Sequence, residues 1–324
     1  MPFYRHKILF LFSAIIISLL FGAGARATTI SPLVLEVNLD PGQSDSRAVI
    51  LMNEGSEDLK ITGYIEAFKP RGERGEAEIY KPDINFQAAN WVKLPTNTLV
   101  LKPGVIKRVP VVFEIPKTAA VGGYYLAVMW ETAPAKGKNS AVGVSSRVGT
   151  LILLRVKGEA QEKLSVDEFK IASSQKFYSH LPVDFSARLS NQGNVHLKPA
   201  GQLNLKNILY FGSASVDFNP DGGNILPQSV RQFDFSWQKN SPLSSRGFWS
   251  GLKEEWRNFG LGYYTARLDL LYGDSGQKIT SNSVSFWVMP WRTILLLLIL
   301  IILIFSAKKI LRRKKYYRPL KPLR

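Results

Sequence analysis

Only two histidines, His180 and His196, lie beyond the N-terminal apolar segment, and each sits beside a turn. An imidazole does acid–base or metal chemistry when a carboxylate, a nucleophile or further ligands stand with it. Neither histidine has such company at a recognisable spacing, so both read as solvated loop residues. Carboxylates gather at Glu54, Glu57 and Asp58 and again at Glu73, Glu76 and Glu78. Neither group has the Asp-x-Asp-x-Asp-Gly spacing of a calcium loop. Ser145 and Ser146 occupy no Gly-x-Ser-x-Gly elbow, and the chain has no cysteine to supply a thiolate. Glycine pairs fall at turns and lack phosphate-cradle spacing, and no carboxylate pair stands in a glycosidase context. The expectation is a protein that is not an enzyme and takes neither metal nor cofactor.

Two stretches carry the side chains that recognition would use. Lys69–Pro95 is 27 residues of weak strand character, long for a loop, and holds Arg71, Arg74, Tyr80, Phe86 and Trp91. Either it folds as an extra hairpin with Tyr80, Phe86 and Trp91 against the core, or it is a glycan- or partner-binding loop. In the second case aromatic faces stack on sugar while Arg71 and Arg74 reach carboxylates. Ser241–Phe259 places Phe248, Trp249, Leu252, Trp256 and Phe259 at helical spacing, with Lys253, Glu254, Glu255 and Arg257 mostly elsewhere on the wheel. The rings of Phe248, Trp249, Trp256 and Phe259 then rest in a membrane interface, cap the end of a domain, or dock a protein partner.

The elements that must position these residues read as strands. β-branched and aromatic alternation marks Ile30–Leu39, Arg47–Met52, Leu59–Phe68, Ile106–Ile115, Tyr124–Glu131 and Gly149–Val156. Asp40-Pro41-Gly42, Asn53-Glu54-Gly55, Lys102-Pro103-Gly104 and Gly122-Gly123 punctuate them. After a polar bridge at residues 157–163 the pattern resumes at Leu164–Ile171, Val183–Leu189, Val216–Phe218, Val230–Trp237, Tyr263–Tyr272 and Ile279–Val288. Many short strands with regular turns predict an all-β chain of two tandem immunoglobulin-like β-sandwich domains, residues 28–158 and 159–290. A strand ending Asn-x-Gly occurs in each half, at Asn53 and at Asn191, as does a Gly-Tyr-Tyr strand start. Asn and Gly tolerate left-handed backbone at such hairpins, and a tyrosine near a strand start can tie its hydroxyl to a loop.

The two ends differ from the middle. Arg5, His6 and Lys7 precede an apolar stretch from Ile8 to Phe21, then small residues to Ala25-Arg26-Ala27. That is a secretory signal peptide over residues 1–27; an uncleaved anchor is the other reading, against which the shortness of the run counts. Residues 291–307 predict a transmembrane helix. The run from Thr293 to Ala307 is about 22 Å long, short of a core of about 30 Å, with Trp291, Arg292, Lys308 and Lys309 available to anchor or snorkel. The net charge of +17 is concentrated beyond that helix. Residues 308–324 hold nine basic side chains and no acid, while residues 28–290 hold 29 basic against 25 acidic. A basic tail of this kind is cytoplasmic by the positive-inside rule, and the mildly basic middle removes the main support for nucleic-acid binding. The expected location is the cell membrane: single-pass, ectodomain extracellular, C-terminus cytoplasmic. Without disulfides the ectodomain must rely on ordinary cores, which points to a bacterial surface.

Several blocks taken together carry a resemblance. They are Asp40-Pro41-Gly42-Gln43, Asn53-Glu54-Gly55, Trp91-Val92-Lys93-Leu94-Pro95, Leu101-Lys102-Pro103-Gly104, and Ile115-Pro116 leading into Gly122-Gly123-Tyr124-Tyr125. In that order and spacing the first domain resembles the WxL-interacting proteins of bacterial cell surfaces. The second half matches more thinly, at Asn191-Gln192-Gly193-Asn194, Gly262-Tyr263 and Phe286-Trp287-Val288. The resemblance implies a first domain that binds cell wall peptidoglycan and a second that binds a WxL-type surface protein. The chain is thus expected to link the membrane to the wall, to surface proteins, or both. The other reading is a chaperone- or adaptor-like exported protein that holds polypeptides at an exposed sheet edge.

Overall fold

A computed structural model describes residues 28–83, 86–132, 145–173, 175–208, 212–241, 243 and 247–316. The signal peptide expected over residues 1–27, and residues 317–324 of the basic tail, lie outside that set. The chain divides into two compact units, residues 1–69 with 77–160 and residues 70–76 with 161–324.

In the first unit the strands are β1 (Thr28–Ser31), β2 (Val34–Leu39), β3 (Ser44–Asn53), β4 (Leu59–Arg71), β5 (Glu76–Tyr80), β6 (Val92–Lys93), β7 (Thr98–Leu101), β8 (Ile106–Glu114), β9 (Gly122–Thr132) and β10 (Arg147–Val156). One sheet has the order β1-β3-β8-β6; the other runs β2-β10-β9-β4-β5, with β7 also pairing β4. β2 joins β10 in parallel, whereas β3–β8, β4–β9 and β9–β10 are antiparallel. Period-two alternation decides which side chains meet between the sheets. Val49 and Leu51 on β3 and Val109, Val111 and Phe113 on β8 are buried, as are Ile61, Leu126, Trp130, Ile152 and Leu154 opposite. The stretch 69–95 is resolved into the β4–β5 hairpin and a 3₁₀ turn over Gln87–Trp91.

The second unit contains β11 (Leu164–Ile171), β12 (Phe177–Tyr178), β13 (Val183–Asn191), β14 (Ala200–Asn207), β15 (Ser213–Phe218), β16 (Ser229–Trp237), helix α1 (Phe248–Arg257), β17 (Gly262–Tyr272), β18 (Gln277–Val288) and helix α2 (Trp291–Tyr316). Its sheets have the orders β11-β13-β16 and β12-β18-β17-β14-β15. Between them Phe185 stacks on Phe169 at 5.9 Å and meets Phe286 edge-on at 5.8 Å, and Tyr264 stacks on Phe286 at 5.7 Å. Both units are β-sandwiches of immunoglobulin-like type, and the chain is all-β apart from its helices.

The repeated Asn-x-Gly has a different cause from left-handed backbone, because neither Gly55 nor Gly193 has positive φ. Asn53 is buried, donating from Nδ2 to Glu57 O (2.7 Å) and Leu101 O (3.0 Å) while Oδ1 accepts from Gly55 N (2.9 Å). Asn191 repeats this, donating to Val195 O (2.7 Å) and Ile225 O (2.9 Å) and accepting from Gly193 N (2.9 Å). One buried amide at each strand end thus satisfies the backbone of the following loop and ties it to a distant segment, at Leu101 and at Ile225. At Gly193 a Cβ would stand 2.1 Å from Gln161 O, so close backbone approach requires the glycine. Tyr124 does tie its hydroxyl to a loop, donating to Ala120 O at 2.8 Å.

α2 continues past residue 307, through the first part of the expected tail. Its segment Trp291–Arg312 (22 residues) contains an 18-residue window of mean hydropathy 2.8 that is not buried by the rest of the protein, and is long and apolar enough to cross a membrane. At 1.5 Å per residue that segment is about 33 Å long.

Candidate binding surfaces

The first surface is the outer face of the β15-β14-β17-β18 sheet. Alternation turns Leu203 and Leu205 of β14 inward, and Gln202, Asn204 and Lys206 outward. With Ser215, Arg267 and Asp269 of the neighbouring strands they line an open, polar concavity of about 580 Å³. Asp269 accepts from Asn204 Nδ2 (2.6 Å) and Thr280 Oγ1 (2.9 Å) and pairs with Arg267 Nε at 3.4 Å. Partial burial pulls its pKa up, but the hydrogen bonds from Asn204 and Thr280 and the Arg267 charge outweigh this and hold the carboxyl below its ordinary range. The face offers an ionised carboxylate, amides, hydroxyls and a lysine, which is equipment for hydrogen bonding to a polar chain.

That face ends on an uncovered strand. Among the described residues β15 pairs only with β14, from Gly201↔Phe218 to Lys206↔Ser213. Its other side therefore has backbone N–H and C=O groups without a strand partner among the described residues. Ser213, Ser215 and Asp217 are exposed, and Ala214, Val216 and Phe218 turn toward the sandwich. Natural edges are usually blunted by lysine, proline or a bulge. The open part of β8 in the first unit is treated that way, with Lys107, Arg108 and Pro110. β15 has no lysine, arginine or proline.

The second surface is at the junction of α1 and α2. Glu255 is completely buried and accepts from Thr293 N (2.8 Å), Thr293 Oγ1 (2.9 Å), Arg292 N (3.1 Å) and Arg292 Nη1 (3.3 Å). It caps the start of α2, where backbone donors have no partner within the helix. Its neighbour Glu254 accepts from Asn258 Nδ2 (2.8 Å) and Leu243 N (3.2 Å), and the buried Asn258 accepts from Asn240 N (2.8 Å) and Leu181 N (3.0 Å). With both carboxylates turned inward, the charges left on the exterior of α1 are those of Lys253 and Arg257. Trp249 and Trp256 are 71% and 70% exposed, and Phe248 and Phe259 are exposed as well. These rings therefore do not cap the sandwich. Trp249, Leu252 and Trp256 face Leu296, Leu297 and Leu300 across an apolar groove of about 420 Å³.

The candidate residues of the 69–95 stretch are separated by their burial. Arg71 and Arg74 are exposed, and Tyr80 is 40% exposed with Lys69 Nζ 5.9 Å from its ring centre. Trp91 is only 8% exposed and meets Tyr124 edge-to-face at 4.7 Å. Trp91 belongs to the core, so its face is not open to a sugar, which corrects its assignment as a ligand-stacking residue. His180 Nδ1 is hydrogen-bonded to Leu181 O at 2.6 Å. Among the described residues no three His, Cys, Asp or Glu side chains are grouped so as to hold a metal ion.

No protein-family model matches the chain, and no curated protein matches it. Among solved structures, the class 5 fimbriae chaperone CfaA is similar over 82% of this chain and 100% of its own, at 13% identity and a TM-score of 0.38. The E. coli chaperone DraB is similar over 80% of this chain and 97% of its own, at 10% identity and a TM-score of 0.34. The CsuC–CsuE chaperone–tip adhesion subunit pre-assembly complex of Acinetobacter baumannii is similar over 64% of this chain and 89% of the matched chain, at 12% identity and a TM-score of 0.34. Identities and TM-scores this low carry no argument about function.

Proposed function

We propose that this chain is a membrane-tethered, non-catalytic surface protein that holds another exported polypeptide against the edge of its second sandwich. The observation that carries this reading is the open β15 edge beside the polar concavity. A partner strand added there finds backbone groups to pair with, while its outward side chains lie next to Ser213, Ser215 and Asp217 and long ones reach toward Gln202, Asn204 and Lys206 of β14. In this reading α2 crosses the cell membrane once, with the sandwiches outside and the basic C-terminus in the cytoplasm. The partner is then a surface protein of the kind that the resemblance to WxL-interacting proteins implies. A photo-crosslinking residue at Ser215 of the full-length protein should capture an exported polypeptide. The Ser213→Lys/Ser215→Lys edge, carrying the crosslinker at Asp217 instead, should reduce the adduct at least tenfold. An adduct unaffected by the two lysines would overturn strand addition.

A second reading, attachment to peptidoglycan by the first unit, is favoured by the exposed Tyr80 ring. Sedimentation of the detergent-solubilised protein with isolated sacculi, and its loss in Tyr80→Ala, is the supporting result. A protein that stays in the supernatant excludes this reading.

A further inference from the structure

We infer that α1 is an interfacial helix, lying in the headgroup region of the leaflet on the ectodomain's side, with a phospholipid surface as its ligand. This rests on the reading of α2 as the membrane span and adds a second membrane contact to it.

Three observations converge. The first is continuity. The α2 side of the groove runs from Leu296 to Leu300, and Leu300 is nine residues beyond Trp291, or about 14 Å down the helix axis. If α2 enters the bilayer near Trp291, the rings of Trp249 and Trp256 that face Leu296, Leu297 and Leu300 cannot stand in bulk water. The second is charge. Glu254 and Glu255 are buried in hydrogen bonds, so α1 offers lipid only aromatic rings, Leu252, Lys253 and Arg257. Basic side chains beside tryptophans suit the phosphate level of a bilayer, where a carboxylate would be repelled. The third is rigidity. Four hydrogen bonds from Arg292 and Thr293 to Glu255 fix α1 against the start of α2, so the rings are held at one depth.

The apolar run of α2 supplies a reason for such a collar. Thr293–Ala307 is about 22 Å long, some 8 Å less than a hydrocarbon core of about 30 Å. A short span is accommodated by local thinning and by flanking anchors, and aromatic groups wedged beside its first turns lower the cost of that deformation.

The test uses the full-length protein in phospholipid nanodiscs, with single cysteines that meet no native thiol. An environment-sensitive fluorophore is placed in turn at Trp249→Cys, Trp256→Cys, Leu303→Cys and Ser275→Cys, the last in the β17–β18 turn. Probes at 249 and 256 should be at least fivefold less accessible to aqueous iodide than the probe at 275, and quenched by lipids spin-labelled near the headgroup. The probe at 303 should respond to lipids labelled deep in the acyl chain. Protection at 303 with iodide access at 249 and 256 equal to that at 275 would overturn the interfacial helix and leave the span intact. Iodide access at 303 as well would overturn the span itself and the inference with it. Because Trp249 and Trp256 are solvent-exposed in the protein alone, their replacement leaves the fold in place, and an unchanged melting transition verifies this.

Discussion

Glu255 accepts hydrogen bonds from both the backbone N–H and the hydroxyl of Thr293, at 2.8 and 2.9 Å, from a position with no solvent exposure. Two helices that are separated in sequence by a whole β-hairpin are thereby joined at the first turn of α2. Removing the carboxylate strands the Arg292 and Thr293 donors in a buried site, at about 1–3 kcal/mol. Glu255→Ala should lower stability in detergent by that amount and raise amide exchange in α1 at least tenfold, with β13 and β16 unchanged. Glu255→Gln, which keeps an acceptor, should lose less. Unaltered exchange in α1 for Glu255→Ala would show that the carboxylate is not what holds the helix.

The buried amides Asn53 and Asn191 predict paired effects. Each makes three hydrogen bonds to backbone groups, so Asn53→Ala and Asn191→Ala should each cost about 2–4 kcal/mol in chemical unfolding of the full-length protein. Asn191→Asp keeps the acceptor for Gly193 N but turns a carboxylate oxygen toward the Val195 and Ile225 carbonyls in a buried site, and should cost at least as much as alanine at neutral pH. A loss below 0.5 kcal/mol in either alanine variant would contradict the role assigned to these side chains.

Trp91 and Tyr80 should respond oppositely. Trp91→Ala empties part of a packed core and should cost about 3–5 kcal/mol, whereas Tyr80→Ala should stay within about 0.5 kcal/mol of wild type. Equal small losses in both would return Trp91 to the surface.

These cases also show what could be read from residue order. The inward alternation of Val49–Leu51 and of Val109–Phe113 identifies β3 and β8 directly, because hydrophobic pattern and β-propensity agree there. β14 carries equally strict alternation at Leu203 and Leu205, yet Gln202, Asn204 and Lys206 are poor strand formers, and the strand at the centre of the polar face was hidden by its own outward residues. Trp91 has the same appearance in sequence whether it stacks on a ligand or packs edge-to-face against Tyr124; only the 3₁₀ turn that tucks it inward decides. On α1 the spacing of the rings indicates a helix but not its orientation. The inward direction of Glu254 and Glu255 depends on Asn258, Arg292 and Thr293, which only the folded chain brings to them.

Asp269 gives a pH signature. Its folded pKa lies below its unfolded value of about 3.9, so the ionised form is favoured in the fold. The stabilisation is present above the unfolded pKa and is lost as pH falls through the folded one. The stability difference between wild type and Asp269→Asn should therefore be largest above about pH 5 and shrink as the pH is lowered below about 4. A difference independent of pH between 7 and 3 would mean that the charge of Asp269 contributes nothing.

Backbone exchange at β15 tests strand addition most directly. Hydrogen–deuterium exchange of the full-length protein, alone and with the polypeptide captured at Ser215, reports on Ser213–Phe218 itself. Pairing with a partner strand should slow the outward-facing amides of β15 at least tenfold, with little change along β8, whose edge carries Lys107, Arg108 and Pro110. Unchanged exchange across β15 in the loaded complex would contradict the account, because a partner held anywhere else leaves those amides open to solvent.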